Sequence, residues 1–422
     1  MNMEAKYSSA SKYRWLILFI GVIAQITFAI GFAGIPTAGV IMRNDYHFTI
    51  GQLGFVLGCM GLGVAISEII WGVLTDKLGD KVVLIIGLVS MGLTFLIISF
   101  GFVPKEGMLP SYKSLGILLI IAGAVGGSIN SSSGSAVMTW FQDNERGFAM
   151  SVRQTAIPVG AAIGAVLVPY IASVYGFGRV FLILAILCFV VTLSVWIWMV
   201  ELKVSDAPTS TSDNGGVSPL KRMSVWKIAI AGAALTFPQM SVLTFASVFL
   251  TDEHHLSMGT ISIIAFSIQI GGGCLRLLTG RITDKYKNRR KLICIIALIA
   301  GIAGIILGLV SNQNIYIVVS LLILTGLAGN AWHGIGYTEI AVSAGVQYAG
   351  RALGMLGATV FAVSFLIPYM IPFILKLTSW NGVWIVVGVV SLIAWPLMVE
   401  VKRETGNKEV RISRTKEGKS IS

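Results

Sequence analysis

Three fully charged side chains stand inside long apolar runs, and they are the residues best placed to do chemistry: Glu68, Arg153 and Arg276. A charge at the centre of a membrane-length apolar segment costs at least about 2.5–3.5 kcal/mol on insertion scales, so each needs a reason to be there. A guanidinium presents a planar fork of donors that fits a carboxylate, which makes Arg276 and Arg153 candidate substrate-binding residues. Glu68 is a candidate proton carrier, because a carboxyl that alternates between apolar and charged surroundings can load and release a proton. His333 is a second candidate for that task, since imidazole ordinarily titrates near neutrality. Gln25, Asn130, Ser131–Ser133, Gln239, Gln269 and Asn330 add neutral polar groups for a pocket. Plainer readings stay open: Arg276 pairing with Glu68 or a helix carbonyl, Arg153 closing a gate against an acid, and His333 as a structural core residue.

These residues need a membrane scaffold to hold them. Of 422 residues, 55% are hydrophobic and 12% charged, about half the charge of a soluble domain. Apolar runs near 15–41, 50–73, 82–103, 114–139, 147–172 and 179–200 are each long enough to cross a bilayer, and so are those near 226–250, 259–280, 292–311, 314–337, 350–376 and 380–400. The expectation is an all-α membrane protein of twelve transmembrane helices. A polar stretch over 201–224 separates residues 1–200 from 225–422 and reads as a flexible linker. The net charge of +12 falls in short loops and tails, so it reads as an orientation signal facing anionic lipid rather than a nucleic-acid surface. Basic residues gather at Lys6, Lys12 and Arg14, in the linker, in 281–291 and in the 402–419 tail, which predicts both termini in the cytoplasm. The polar opening Met1–Tyr13 gives no cleaved signal peptide. Pro36, Pro238, Pro368 and Pro372 are expected to bend or break gating helices.

A short loop motif recurs between apolar runs: Gly72-Val-Leu-Thr-Asp76-Lys-Leu-Gly79-Asp80-Lys81 and Gly280-Arg-Ile-Thr-Asp284-Lys-Tyr-Lys287. Gly allows a tight bend, and Asp accepts bonds from free amides at a helix N-terminus. Glu68 and Arg276 each lie four residues before the motif Gly, so they are one position of a repeat bearing opposite charges. Arg146 and Arg351, with Met150 and Met355, extend the repeat. The motif resembles the signature loop of the major facilitator superfamily, which joins the second and third helices and, degenerately, the eighth and ninth. That resemblance implies two pseudo-symmetric six-helix bundles, a site between them near mid-membrane, and transport by rocking. It also implies that Asp76 latches the cytoplasmic side by engaging the 350–352 backbone and Arg146, with Asp284 and Arg351 in the same gating set.

Arg276, in the frame Arg-Leu-Leu-Thr-Gly280, resembles the anion-binding Arg of oxalate, monocarboxylate and nitrate carriers in the superfamily. Glu145-Arg146-Gly147 is similar to the start of the fifth helix in its anion carriers. Pro158, Gly160 and Gly164 match only part of the antiporter motif of drug exporters, because residue 157 is Ile where that motif has Gly. The reading is therefore a proton-coupled carrier of a small organic anion, a carboxylate, acting as a monomer in the cell membrane with no cofactor. The alternatives are a proton-driven exporter of drugs or other small molecules, and a sensor that binds without turnover. An enzyme is excluded by the lack of a nucleophile–base pair, metal cluster or phosphate loop. Cys59, Cys188, Cys274 and Cys294 lie in apolar runs at no metal-ligand spacing and are expected to be buried thiols. His254-His255 beside Asp252 and Glu253 reads as a solvated turn rather than a metal site.

Overall fold

Where no water reaches, backbone polar groups must bond within their own segment, and these apolar runs accordingly form helices. The computed structural model describes residues 3–105, 109–201 and 218–399, so most of the 201–224 linker and the basic tail lie outside the described residues. The helices are α1 (Met3–Thr37), α2 (Ile50–Leu78), α3 (Asp80–Gly101) and α4 (Tyr112–Trp140), with a short helix Gly39–Asp45 after α1. The 53-residue helical run Arg146–Trp198 is two helices, since Gly176 at φ 76, ψ 168 breaks it; we name them α5 (146–175) and α6 (177–198). A side chain at that φ would be strained, so Gly sits at the corner. There follow α7 (Met223–Asp252), α8 (Met258–Tyr286), α9 (Arg289–Leu309), α10 (Ile315–Ala344), α11 (Ala349–Leu377) and α12 (Trp380–Met398). Counting across the Gly176 corner, the twelve membrane-length helices among the described residues make two six-helix bundles, α1–α6 and α7–α12.

Local chemistry sets the ends. Thr49 and Gln52 form a capping box at the start of α2, and Ser257 caps α8. Gly79, at φ 91, turns the chain from α2 into α3. Pro238, Pro368 and Pro372 lie within continuous helices, while Pro36 falls one residue before the end of α1. Several sequence bounds change. The first run ends at Thr37 rather than 41, the second extends to Leu78 rather than 73, the eighth to Tyr286 rather than 280, and the tenth to Ala344 rather than 337, with a break at Trp332.

Large apolar side chains such as Ile66, Phe100, Val166 and Ile263 stay exposed on the outer surface, as lipid requires. Between the bundles, α2 packs on α11 and α5 packs on α8. Small residues let these pairs approach closely. A Cβ on Gly350 would meet Asp76 Oδ1 at 2.7 Å, and one on Gly147 would meet Asp284 Oδ1 at 2.6 Å. Cys59 and Cys188 are buried as expected, but Cys274 is exposed and Cys294 half-buried, because their faces of α8 and α9 turn outward.

Candidate functional site

The two repeated loops build matching latches at one end of the molecule. Asp76 accepts the backbone N–H groups of Gly350 at 2.8 Å and Arg351 at 3.2 Å, at the start of α11. Asp284 accepts those of Gly147 and Phe148 at 2.8 and 2.7 Å, at the start of α5. Each carboxylate thus satisfies the open amides of a helix in the opposite bundle, where the helix dipole also favours negative charge. Arg351 Nε lies 3.2 Å from Asp76 Oδ2, an ion pair without hydrogen-bond alignment. Arg146 does not join Asp76. It starts α5, which abuts α8 rather than α11, and its Nε caps the end of α4 through the carbonyls of Met138 and Phe141. Gly350 and Arg351 therefore answer to Gly147 and Phe148, and the sequence pairing of Arg146 with Arg351 is out of register.

A third tie joins the bundles beside the latches. Asp143, in the turn before α5, bonds Lys287 at 3.0 Å and lies 3.3 Å from Arg289. Burial raises its carboxyl, but the Lys287 bond and the charges of Arg289, Lys287 and Arg146 outweigh that and hold it below the usual range. Glu339 binds Arg289 at 3.2 Å and Arg290 at 2.5 Å. Glu339 escaped the sequence reading because the tenth run was stopped at 337; the Arg289–Arg290 doublet was the signal that an acid was needed nearby.

About two turns inward from the latches, the polar groups converge. Glu68 is wholly buried and accepts from Asn130 Nδ2 at 2.8 Å and Ser131 Oγ at 3.2 Å. Arg153, equally buried, donates to Asn130 Oδ1 at 2.8 Å, Asn130 O at 2.5 Å, Ser133 Oγ at 2.9 Å and Gln25 Oε1 at 3.2 Å. Asn130 thereby stands between acid and base, with its amide used on both sides. Gly357 of α11 lies against the Glu68 carboxyl, where a Cβ would come within 2.6 Å.

Arg276 forms the counterpart in the second bundle. It donates from Nε to Asn330 O at 3.0 Å, from Nη2 to Asn330 Oδ1 at 2.8 Å, and across the interface from Nη1 to Gln154 O at 2.8 Å. The break at Trp332 explains part of this: the carbonyls of Asn330 and Ala331 beside it are taken by Arg276 and by Thr279 Oγ1. Gln239 Nε2 also donates to Asn330 Oδ1, at 3.1 Å. The possible Arg276–Glu68 pair is not formed, because each charge is held by the Asn of its own bundle. Among the described residues, the hydrogen-bond acceptors of Arg276 are all neutral oxygens.

His333 is buried, its ring centroid 4.2 Å from that of Trp332 at a 33° tilt, and among the described residues its Nδ1 has no hydrogen-bond partner. Gln154 gives its backbone carbonyl to Arg276, and its buried side chain, close to Tyr337, makes no well-formed hydrogen bond among the described residues; the sequence offered no reason to single it out. Gln269 lines a cavity of about 310 Å³ that runs from Asn330 to Leu250 and Ile261 at the α7–α8 turn, opposite the latches. His254 bonds Ser311 O, and among the described residues no group of three or more His, Cys, Asp or Glu could hold a metal.

Twelve helices, two bundles and paired latches specify a fold, and comparison with known proteins names its lineage. The sequence profile of the Major Facilitator Superfamily matches residues 20–336 and 228–421. The chain belongs to this family. It is 25% identical to an uncharacterised MFS-type transporter of Mycobacterium tuberculosis over 91% of this chain and 84% of that one. It is also 25% identical to the hexuronate transporter of Bacillus subtilis over 59% of each. The fold is similar to that of the proton:xylose symporter XylE, with TM-score 0.73 and 15% identity over 92% of this chain and 95% of that one. The facilitator is thus a multi-pass membrane transporter of small molecules, not an enzyme.

Proposed function

We propose that this facilitator carries a small organic anion, a carboxylate, together with protons, by rocking its two bundles about the site. One observation carries the reading: Arg276 is buried at 3% exposure and, among the described residues, bonds only to neutral oxygens. A buried charge without a counter-ion is expensive, and an anionic substrate supplies what the protein withholds. Arg153 already has a counter-charge in Glu68, one amide away, so the core carries a net positive charge when Glu68 is ionised.

The latched end is the cytoplasmic one on the charge bias of the loops, which makes this an outward-facing state with both termini inside. Residues 1–200 and 225–422 act as the two rocking units, with 201–224 as their tether. Gly357 covers Glu68 from the opposite bundle, so separation of α2 and α11 uncovers the carboxyl to the cytoplasm. Gln25, Asn130, Asn330 and Gln269 complete the polar surface, and His333 is a second proton acceptor. Asp76, Asp284 and Arg351 hold the gate shut; Arg146 serves it by fixing the end of α4.

Purified protein in liposomes tests this with labelled mono- and dicarboxylates and an imposed pH gradient. Uptake of an anion above that of empty liposomes, driven by the gradient and lost in Arg276→Gln, is the expected result. A folded protein that moves no anion but moves lipophilic cations would instead make it an exporter.

A further inference from the structure

The cavity that ends at Asn330, the residue on which Arg276 is held, has a chemical character of its own. Its walls are Val242, Leu243 and Leu250 of α7 with Ile261, Ile264 and Ile268 of α8. Apart from Ser247, polar groups appear only at its inner end, where Gln239, Gln269 and Asn330 meet. Two of these are already engaged: Gln239 Nε2 donates to Asn330 Oδ1 at 3.1 Å, and Asn330 Nδ2 donates to Gly326 O at 2.9 Å. A volume of about 310 Å³ is at the small end for a ligand site.

The charged group is within reach of this inner end. Gln269, Gly273 and Arg276 fall at i, i+4 and i+7, on one face of α8. A Cβ on Gly273 would meet nothing within 4 Å, so the helix surface between Gln269 and Arg276 has open space beside it. Arg276 engages three of its five N–H donors, one each from Nε, Nη1 and Nη2. Two donors remain for an incoming carboxylate.

We infer that the substrate is a carboxylate with a compact apolar body, an aliphatic or aromatic monocarboxylate, and not a polyhydroxylated sugar acid. Its head meets Arg276 at the inner end and its body lies along the Leu243–Ile264 wall. Each sugar hydroxyl placed against that wall would give up its water bonds and find no partner. An apolar pocket rejects one added hydroxyl by no more than about 100-fold, but a sugar acid places several against this wall. This inference rests on the anion reading above, and the two fail differently.

The test is calorimetric binding to purified, monodisperse protein, which passive leakage of acids through lipid does not affect. Benzoate and 3-methylbutanoate are compared with gluconate and glucuronate, for wild type, Arg276→Gln and Leu243→Gln. Leu243 is 53% exposed, so a polar side chain there does not disturb packing. The expected result is that the apolar acids bind at least about tenfold more tightly than the sugar acids. Leu243→Gln narrows that gap, and Arg276→Gln abolishes binding of both classes. Equal or tighter binding of the sugar acids, still dependent on Arg276, overturns this inference and leaves the anion reading standing. No binding of any carboxylate, with folding confirmed by thermal melting, overturns both.

Discussion

Glu68 in α2 and Arg276 in α8 occupy the same step of the two bundles, each two turns inward from its latch Asp and each held by an Asn. In the first bundle Asn130 gives its N–H to Glu68 and takes Arg153 on its oxygen, so the two charges balance across one amide. In the second bundle Asn330 takes Arg276 on its oxygen and returns its N–H to Gly326 of its own helix, leaving the arginine uncompensated. The amide orientations follow from these networks. Covering differs too. Glu68 is sealed by the bare Gly357 face of α11, whereas Arg276 reaches across to the Gln154 carbonyl of α5. One duplicated scaffold thus carries opposite charges at the equivalent site, and the proposed function gives them separate tasks: proton acceptor in the first bundle, anion binding in the second.

The latches repeat the comparison with a smaller difference. Both carboxylates cap a helix of the opposite bundle, but Asp76 is in direct contact with the Arg351 guanidinium, whereas Asp284 feels the charges of Lys287 and Arg289 without an ion-pair contact among the described residues. Hydrogen bonds to charged groups contribute about 1.5–3 kcal/mol and neutral ones about 0.5–1.5. Asp76→Asn and Asp284→Asn should therefore each shift the protein toward its inward-open state by about five- to thirtyfold, with folding intact and turnover slowed. Asp76→Asn should shift it further, because it also strands Arg351. Distances between spin labels across the latched end measure this. Equal shifts would mean that Arg351 adds nothing, and normal turnover in Asp76→Asn would remove the latch from the mechanism.

Asp143 should give the smallest effect, and it acts only between the bundles. Its carboxyl is held low by Lys287 and Arg289 in the closed state and is released on opening. The tie therefore favours closure above the ordinary carboxylate range and is lost as pH falls through the lowered value. The same spin-label distances should lengthen slightly on acidification in wild type. Asp143→Asn should show no such step; an unchanged step in that variant would assign the titration to another group.

Much of this was legible in the sequence because the repeat carries it. The apolar runs gave the helix order, the twin loops gave the repeat, and the resemblance they carry implied the two bundles and the contact between Asp76 and the 350–352 backbone; the polar residues inside apolar runs gave the list of groups near the centre. Position along a helix reports depth, however, and not which neighbour stands at that depth. Arg146 therefore pointed to Asp76 at the right level but on the wrong side of α5, and Glu68 and Arg276 shared a level without touching. Glu339 was missed for a different reason: hydropathy stopped the tenth run before the helix itself stops. Asn130 as a bridge and Gln154 as a backbone acceptor depend on side-chain direction in three dimensions, which no single-sequence pattern encodes.

The division of labour between the bundles is tested most directly by comparing exchange with pH-driven accumulation in Glu68→Gln and Arg276→Gln. Exchange of labelled for unlabelled carboxylate at equal pH needs only the anion arm, while accumulation against a gradient needs the proton acceptor as well. Glu68→Gln should retain exchange and lose pH-driven accumulation, and Arg276→Gln should lose both. Exchange surviving in Arg276→Gln but abolished in a folded Glu68→Gln protein would contradict the assignment of anion and proton to the two halves.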